Sequence, residues 1–159
     1  MVHKNQYGFI RHRSIQDCLA WSFEFIHQCH QSKEEIVIVK LDFAKAFDTV
    51  EHSAILEMLK CLGFPSKWLS WVEAILSSGS AAVLLNGVPG KMFQCKSGVR
   101  QGDPLSPLLF VLAAEILQYI VNGLKNKGIL KLPIPQPSVD FPIIQYVDDT
   151  LLIMQADAR

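Results

Sequence analysis

The sequence predicts an α+β fold, with a largely antiparallel sheet packed against helices, on three observations. Segments of helical period and strand-like segments alternate along the 159 residues. Short strand-like pairs are separated by turn residues rather than by helices, and hairpins build antiparallel sheets. Half of the residues are apolar and 19% are charged, which suits a buried core and excludes a disordered acidic or basic tail. The length suits one domain, and no repeat, low-complexity tract or flexible linker divides it.

Ile15 to Gln31 carries Ile15, Leu19, Phe23 and Ile26 at helical spacing, which predicts a helix with that apolar stripe. Ile36 to Phe43 is β-branched and apolar, a buried strand ending near Asp42. Asp48-Thr-Val-Glu51 has the character of a capping box, opening a helix that runs to about Leu62 and stops at Gly63. Ser66 to Ser77 predicts a second helix closed by Gly79. Ala81–Leu85 and Lys91–Cys95 read as a hairpin joined by the longer turn Asn86 to Gly90. Asp103-Pro104 and Ser106-Pro107 compete as N-cap and first-turn pairs for a long apolar helix ending near Gly123 or Gly128. Pro133, Pro135 and Pro137 mark an extended connector. Pro142–Tyr146 and Leu151–Met154 are short apolar strands around Val147-Asp148-Asp149-Thr150.

Fifteen Lys and Arg balance fifteen Asp and Glu, so net charge gives no support for nucleic-acid binding, which must rest on local placement. Basic residues without acids do occur locally, at Lys4, Arg11 and Arg13 and at Lys125, Lys127 and Lys131; such stretches follow phosphates or simply face solvent. Cys18, Cys29, Cys61 and Cys95 lack CxxC spacing and read as reduced thiols of an intracellular protein, with no disulfide-linked partner. Met1 to Gln6 lacks the apolar core of a signal peptide. Leu105–Val121 is nearly all apolar, but Pro107, Glu115 and Gln118 favour a buried core helix over a membrane span. His27, Cys29 and His30 cluster without a second ligand pair at zinc spacing, and Trp68 and Trp71 read as packing rather than base stacking.

The chemical signal is the placement of carboxylates. Asp42 ends one apolar strand, and Asp148-Asp149 stands at the tip of a later apolar pair. Carboxylates converging at adjacent strand ends repel each other unless a cation joins them, and Mg²⁺ takes oxygen ligands. In an extended strand neighbouring side chains face opposite ways, so Asp148 is expected as the principal partner of Asp42, with Asp149 in support. By spacing alone, Asp148-Asp149 is equally a polar hairpin turn.

Three motifs occur in order: Lys40-Leu-Asp-Phe-Ala-Lys-Ala-Phe-Asp48, Ser97-Gly-Val-Arg-Gln-Gly-Asp-Pro-Leu-Ser-Pro107 and Tyr146-Val-Asp-Asp149. Together they resemble the palm of reverse transcriptases, above all those of non-LTR (LINE-type) retrotransposons and the related group II intron enzymes. Asn5-Gln-Tyr-Gly-Phe-Ile-Arg-His-Arg-Ser14 resembles the fingers motif that precedes that palm. The resemblance implies a polymerase palm-like, incomplete domain, with residues 1–34 as partial fingers and 35–159 as palm, cut just past the catalytic hairpin and without a thumb. It leaves that hairpin with an unpaired strand edge.

The resemblance implies RNA-directed DNA synthesis, a transfer from dNTP to a primer 3′ hydroxyl across two Mg²⁺ ions (Mn²⁺ as substitute), on an RNA template with a DNA primer and without a membrane partner. It makes Asp42, Asp148 and Asp149 catalytic metal ligands, with the carbonyl of Phe43 beside them. It puts the backbone near Lys45 and Ala46 against the triphosphate, Phe47 against the ribose 2′ position, and Gln101 with Gly102 beside the incoming nucleotide. Arg11 and Arg13 fall at basic fingers positions that contact triphosphate. Without the motif, Phe47 reads as a core ring, Gln101 as a surface residue, and Asp48 and Asp103 as helix caps. His12 stands where relatives carry glycine, and Val147 where LINE-type relatives more often carry alanine. The alternatives are an inactive retroelement relic, a nucleic-acid-binding remnant, or an intron-type maturase.

Overall fold

The computed structural model describes residues 2–134 and 141–156. Pro135 and Pro137 of the expected connector lie outside them. The chain forms two compact units, Met1–Phe43 with Ala114–Arg159, and Ala44–Ala113.

The first unit is built on a three-stranded antiparallel sheet of β1 (Ile36–Leu41), β6 (Ile143–Tyr146) and β7 (Asp149–Gln155), in the order β1-β7-β6. The register pairs Ile36 with Gln155 at one end and Leu41 with Thr150 at the other. Ile143, Ile144 and Ile153 are buried, but β1, expected as a buried strand, lies at the sheet edge with Val37 and Ile38 exposed. The outer edge of β6 is not free as expected. Asn5 to Tyr7 pairs with it in parallel, through Gln145 N–H to the Asn5 carbonyl (3.0 Å) and Tyr7 N–H to the Gln145 carbonyl (2.9 Å).

Helix α1 (Ile15–Gln31) has the predicted bounds. Its start is a capping box that the sequence carried unread: Ser14 Oγ accepts from Asp17 N–H, and Asp17 Oδ2 accepts from Ser14 N–H. The predicted stripe is largely not the buried face. Cys18, Ser22, Phe25 and Cys29 point inward, whereas Leu19 and Phe23 are 49% and 69% exposed. The two sets run parallel along the helix, and packing selected the one rich in small side chains, which lets the helix approach Ile144 and Ile153. Burial pushes the Cys18 and Cys29 thiols up, away from the reactive thiolate.

The second unit contains α2 (Ala46–Thr49), α3 (His52–Cys61), α4 (Ser66–Ser77) and two short hairpins. Asp48 does not open the main helix: it lies inside α2, and α3 starts after Glu51 with no side-chain cap. The stop is as expected, with Gly63 N–H and Phe64 N–H closing on the carbonyls of Lys60 and Leu59. The predicted long-turned hairpin is nested. The pairs β2 (Ser80–Ala81) with β5 (Phe93–Gln94) and β3 (Leu84–Leu85) with β4 (Val88–Pro89) enclose the tight turn Asn86-Gly87.

Helix α5 (Ser106–Asn126) begins at the second of the two candidate starts, with Asp103 Oδ1 accepting from Leu105 N–H just before it. It is long and apolar enough to cross a membrane. Its polar residues are nonetheless engaged inside the first unit. Glu115 accepts from His3 N–H (3.0 Å), and Gln118 Nε2 donates to the Phe141 carbonyl (2.9 Å). Burial raises the pKa of Glu115 above the ordinary glutamate range.

Two stability predictions follow from this packing. Phe25→Ala removes a buried ring and is expected to cost about 3–5 kcal/mol, whereas Phe23→Ala on the exposed face stays within about 0.5 kcal/mol. Urea midpoints of the two variants check this, and equal losses contradict the inward face. For Glu115 the folded pKa exceeds the unfolded one, so its contribution is greatest below the ordinary glutamate pKa and falls as pH rises through the raised value. Glu115→Gln keeps the acceptor for His3. It is expected to melt higher by a few degrees at pH 7, with the gain shrinking to nothing towards pH 4.

Candidate active site

The β1–β7 register sets the site of the first unit. The register ends at the Leu41–Thr150 pair, so Asp42, just past β1, and Asp149, the first residue of β7, lie at the same end of the ladder. Tyr146 pairs with Asp149, so Val147 and Asp148 form the tight turn of the β6–β7 hairpin. Asp148 is therefore a turn residue rather than part of an extended strand, and the alternation expected for it does not apply there. Asp149 is the first residue of β7 and is exposed, as is Asp42.

One cation stands beside this group, paired with Asp149. Lys40 shares a face of β1 with Asp42, and its Nζ lies 2.9 Å from Asp149 Oδ1. The Lys40 pKa is raised, first by the hydrogen bond to Asp149 and by its charge, with Asp42 and Asp148 adding to the effect. Asp149 is thus the direct partner of the ammonium, and Asp42 and Asp148 act on it only through space. Among the described residues, no three His, Cys, Asp or Glu side chains are gathered closely enough to hold a metal as they stand. The donor set is oxygen alone, which fits a hard divalent ion, and Lys40 holds one oxygen of Asp149, Oδ1.

The turn carrying Asp148 is anchored from the N-terminal segment. The Gln6 side chain bonds the backbone of Val147, and Arg13 Nη1 donates to the carbonyls of His3 and Gln6, both at 2.5 Å. Arg13 therefore holds backbone, while Arg11 is exposed. His12 has φ +65°, the conformation that makes glycine the ordinary residue there, and histidine is among the side chains that tolerate it. Phe43 is 45% exposed beside Asp42.

In the second unit the other two motif segments are laced together. Val99 N–H donates to the Phe47 carbonyl (2.7 Å) and Gly98 N–H to the Val50 carbonyl (2.8 Å). Gly98 has φ +81°, and a Cβ there would lie 2.6 Å from the Asp48 carbonyl oxygen, so only glycine permits the approach. Gln101 Nε2 donates to Asp48 Oδ1 (3.3 Å), and His52 Nε2 is 2.9 Å from the Gly98 carbonyl. Lys45 has φ +51° and caps α2, Ala46 is buried, and Gly102 is exposed. The Phe47 ring stacks on Phe110, with centroids 4.5 Å apart and planes at 12°. An open cavity of about 750 Å³ is lined by Asp48, His52, Arg100 and Gln101 among others.

Sequence reasoning named the three acids but passed over Lys40 and Gln6. Lys40 was within reach, since strand alternation puts it on the face of Asp42. Gln6 had no such signal, because its partner lies 141 positions away.

The family described as reverse transcriptase (RNA-dependent DNA polymerase) matches residues 1–159, the whole chain. The chain belongs to the reverse transcriptase family. It is 29% identical, over 98% of its length and 21% of the relative's, to the Pol polyprotein from type-1 retrotransposable element R2 of Popillia japonica. It is also 29% identical, over 98% of its length and 16% of the relative's, to the RNA-directed DNA polymerase from mobile element jockey of Drosophila melanogaster. Both agree with the LINE-type resemblance, and the chain spans about a fifth of such relatives. The apo telomerase of Candida tropicalis shares the fold, with a TM-score of 0.67 at 14% identity over 98% of this chain and 30% of that one. The fold is thus α+β and palm-like. Reverse transcriptases as a family depend on divalent metal.

Phe47 is a packed ring in this reverse transcriptase domain whatever else it does. Phe47→Ala is expected to lower stability by about 2 kcal/mol through loss of the stack on Phe110. An unchanged denaturation midpoint contradicts that.

Proposed function

We propose that the chain is the catalytic part of an RNA-directed DNA polymerase, adding deoxynucleotides from dNTP to a primer 3′ hydroxyl on an RNA template. The observation that carries the reading is the antiparallel β1–β7 register, which ends at Leu41–Thr150 and so brings Asp42 to the same sheet end as Asp148 and Asp149, where Lys40 pairs with Asp149. Asp42, Asp148 and Asp149 would hold two Mg²⁺ ions, or Mn²⁺ in their place, with the Phe43 carbonyl beside Asp42. Such ions, when bound, favour deprotonation of the attacking hydroxyl and stabilise the departing pyrophosphate.

The chain's own part is placement and charge. Asp42 and Asp149 are exposed and Asp148 is half-buried, so substrate can reach the group from solvent. Lys40 neutralises Asp149 until a stronger cation takes over, which keeps like charges at adjacent strand ends from pushing the hairpin away. The nucleotide-binding roles of Arg11, Arg13, Lys45, Ala46, Phe47, Gln101 and Gly102 are proposed on the motifs. In that role the Phe47 ring leaves no volume for a ribose 2′ hydroxyl. The division into fingers, 1–34, and palm, 35–159, belongs to the same reading, as does an intracellular location in nucleus or cytoplasm. RNA as partner has its support in the jockey relative, an RNA-directed DNA polymerase, and in a telomerase of similar fold solved with a fragment of telomeric RNA.

A second reading, nucleic-acid binding without turnover, has one observation in its favour: Lys40 already occupies Asp149. The two separate in one experiment. In a primer-extension assay, Asp148→Asn is expected to lower the activity by about a hundredfold or more. Undiminished extension overturns the metal assignment. Strong, salt-dependent nucleic-acid binding without extension, indifferent to Asp42→Ala, establishes the second reading instead.

A further inference from the structure

We propose that Gln6 is a positioning residue for the hairpin turn that presents Asp148 and Asp149, and that Gln6-Tyr7-Gly8 acts as its clamp. The inference rests on the polymerase reading only for what the turn is used for. Val147 has φ +59°, a left-handed conformation that a β-branched side chain disfavours strongly, so local preference alone would not keep this turn. The Gln6 side chain is fully buried and spans both backbone groups of that residue. Its Oε1 accepts from Val147 N–H (3.1 Å), and its Nε2 donates to the Val147 carbonyl (3.3 Å). The same Oε1 accepts from Gly8 N–H (2.9 Å).

Only a side-chain amide supplies a donor and an acceptor in this arrangement; glutamate lacks the donor and leucine lacks both. Gly8 closes the other side. A Cβ there would lie 2.4 Å from Val147 Cγ2 and 2.6 Å from its nitrogen. Behind Gln6, its own carbonyl is held by Arg13 Nη1 (2.5 Å), and its neighbours Asn5 and Tyr7 are paired with Gln145. Asp148 follows Val147 directly, so the backbone from which its side chain departs is held by a residue the amide grips at both its N–H and its carbonyl.

The test uses the whole chain. In the wild type, the Val147 amide is expected to exchange with deuterium about a hundredfold slower than in an unstructured peptide, and Gln6→Ala removes that protection. Mn²⁺ affinity, read from water-proton relaxation, is expected to weaken about fivefold or more in Gln6→Ala. Adding Val147→Asn, which tolerates a left-handed backbone, recovers most of that loss. A merely structural Gln6 would lower the melting temperature with no such recovery. Fast Val147 exchange in the wild type, or unchanged Mn²⁺ affinity in a folded Gln6→Ala, overturns the proposal. If Gln6→Ala does not fold, the wild-type exchange rate decides alone. If the wild type binds no Mn²⁺, the polymerase reading fails while the exchange result still decides the clamp.

Discussion

Antiparallel pairing of β1 with β7 is the constraint on which the site depends. Asp42 and the Asp148-Asp149 pair are remote along the chain, and no local structure brings them together. Six residue pairs, from Ile36–Gln155 to Leu41–Thr150, do so. A slip by one residue would turn Ile153 out of the core and carry Asp149 past Asp42. The same hydrophobic burial that stabilises the sheet therefore sets the geometry of the acids, and a core that holds its register also holds the site.

Bringing carboxylates together at a strand end is unfavourable, and the first unit offsets it with Lys40. Because Lys40 and Asp149 are both largely exposed, their pairing is screened and contributes little to stability. Its consequence is local: it places one positive charge against Asp149. The N-terminal segment contributes in a different way. It covers the edge of β6 and grips a turn that a valine would not adopt unaided. The acids thus combine a rigid sheet with a strained turn, which is where functional strain is usually found.

Much of this was legible in the sequence, and the misses have physical causes. Helix α1 was delimited by its apolar period and α4 by its closing glycine, and their observed bounds are Ile15–Gln31 and Ser66–Ser77. The inward face of α1 was misread because apolar size was taken to mean burial. The core wanted the smaller Cys18, Ser22 and Cys29 beside Phe25, and left Phe23 outside. Asp48 matched a capping pattern, but a left-handed Lys45 starts a helical turn just before it, so the carboxylate is free to meet Gln101 instead. The candidate acids were readable as isolated charges beside apolar strands. The hold of Gln6 on Val147 was not, because a buried glutamine announces itself only through a tertiary partner. Phe47 and Gln101 took their proposed roles from the family motifs, and their packing on Phe110 and Asp48 accounts equally well for their presence.

The central claim is that three aspartates form one cation-binding group. It is tested most directly by following their side-chain carboxyl carbons by NMR while Mg²⁺ is added to the chain. The account predicts that the signals of Asp42, Asp148 and Asp149 move along a single saturation curve, and that the Lys40 ammonium signal changes with them as its bond to Asp149 is lost. An Asp42 signal that stays fixed while Mg²⁺ saturates the other two would contradict it.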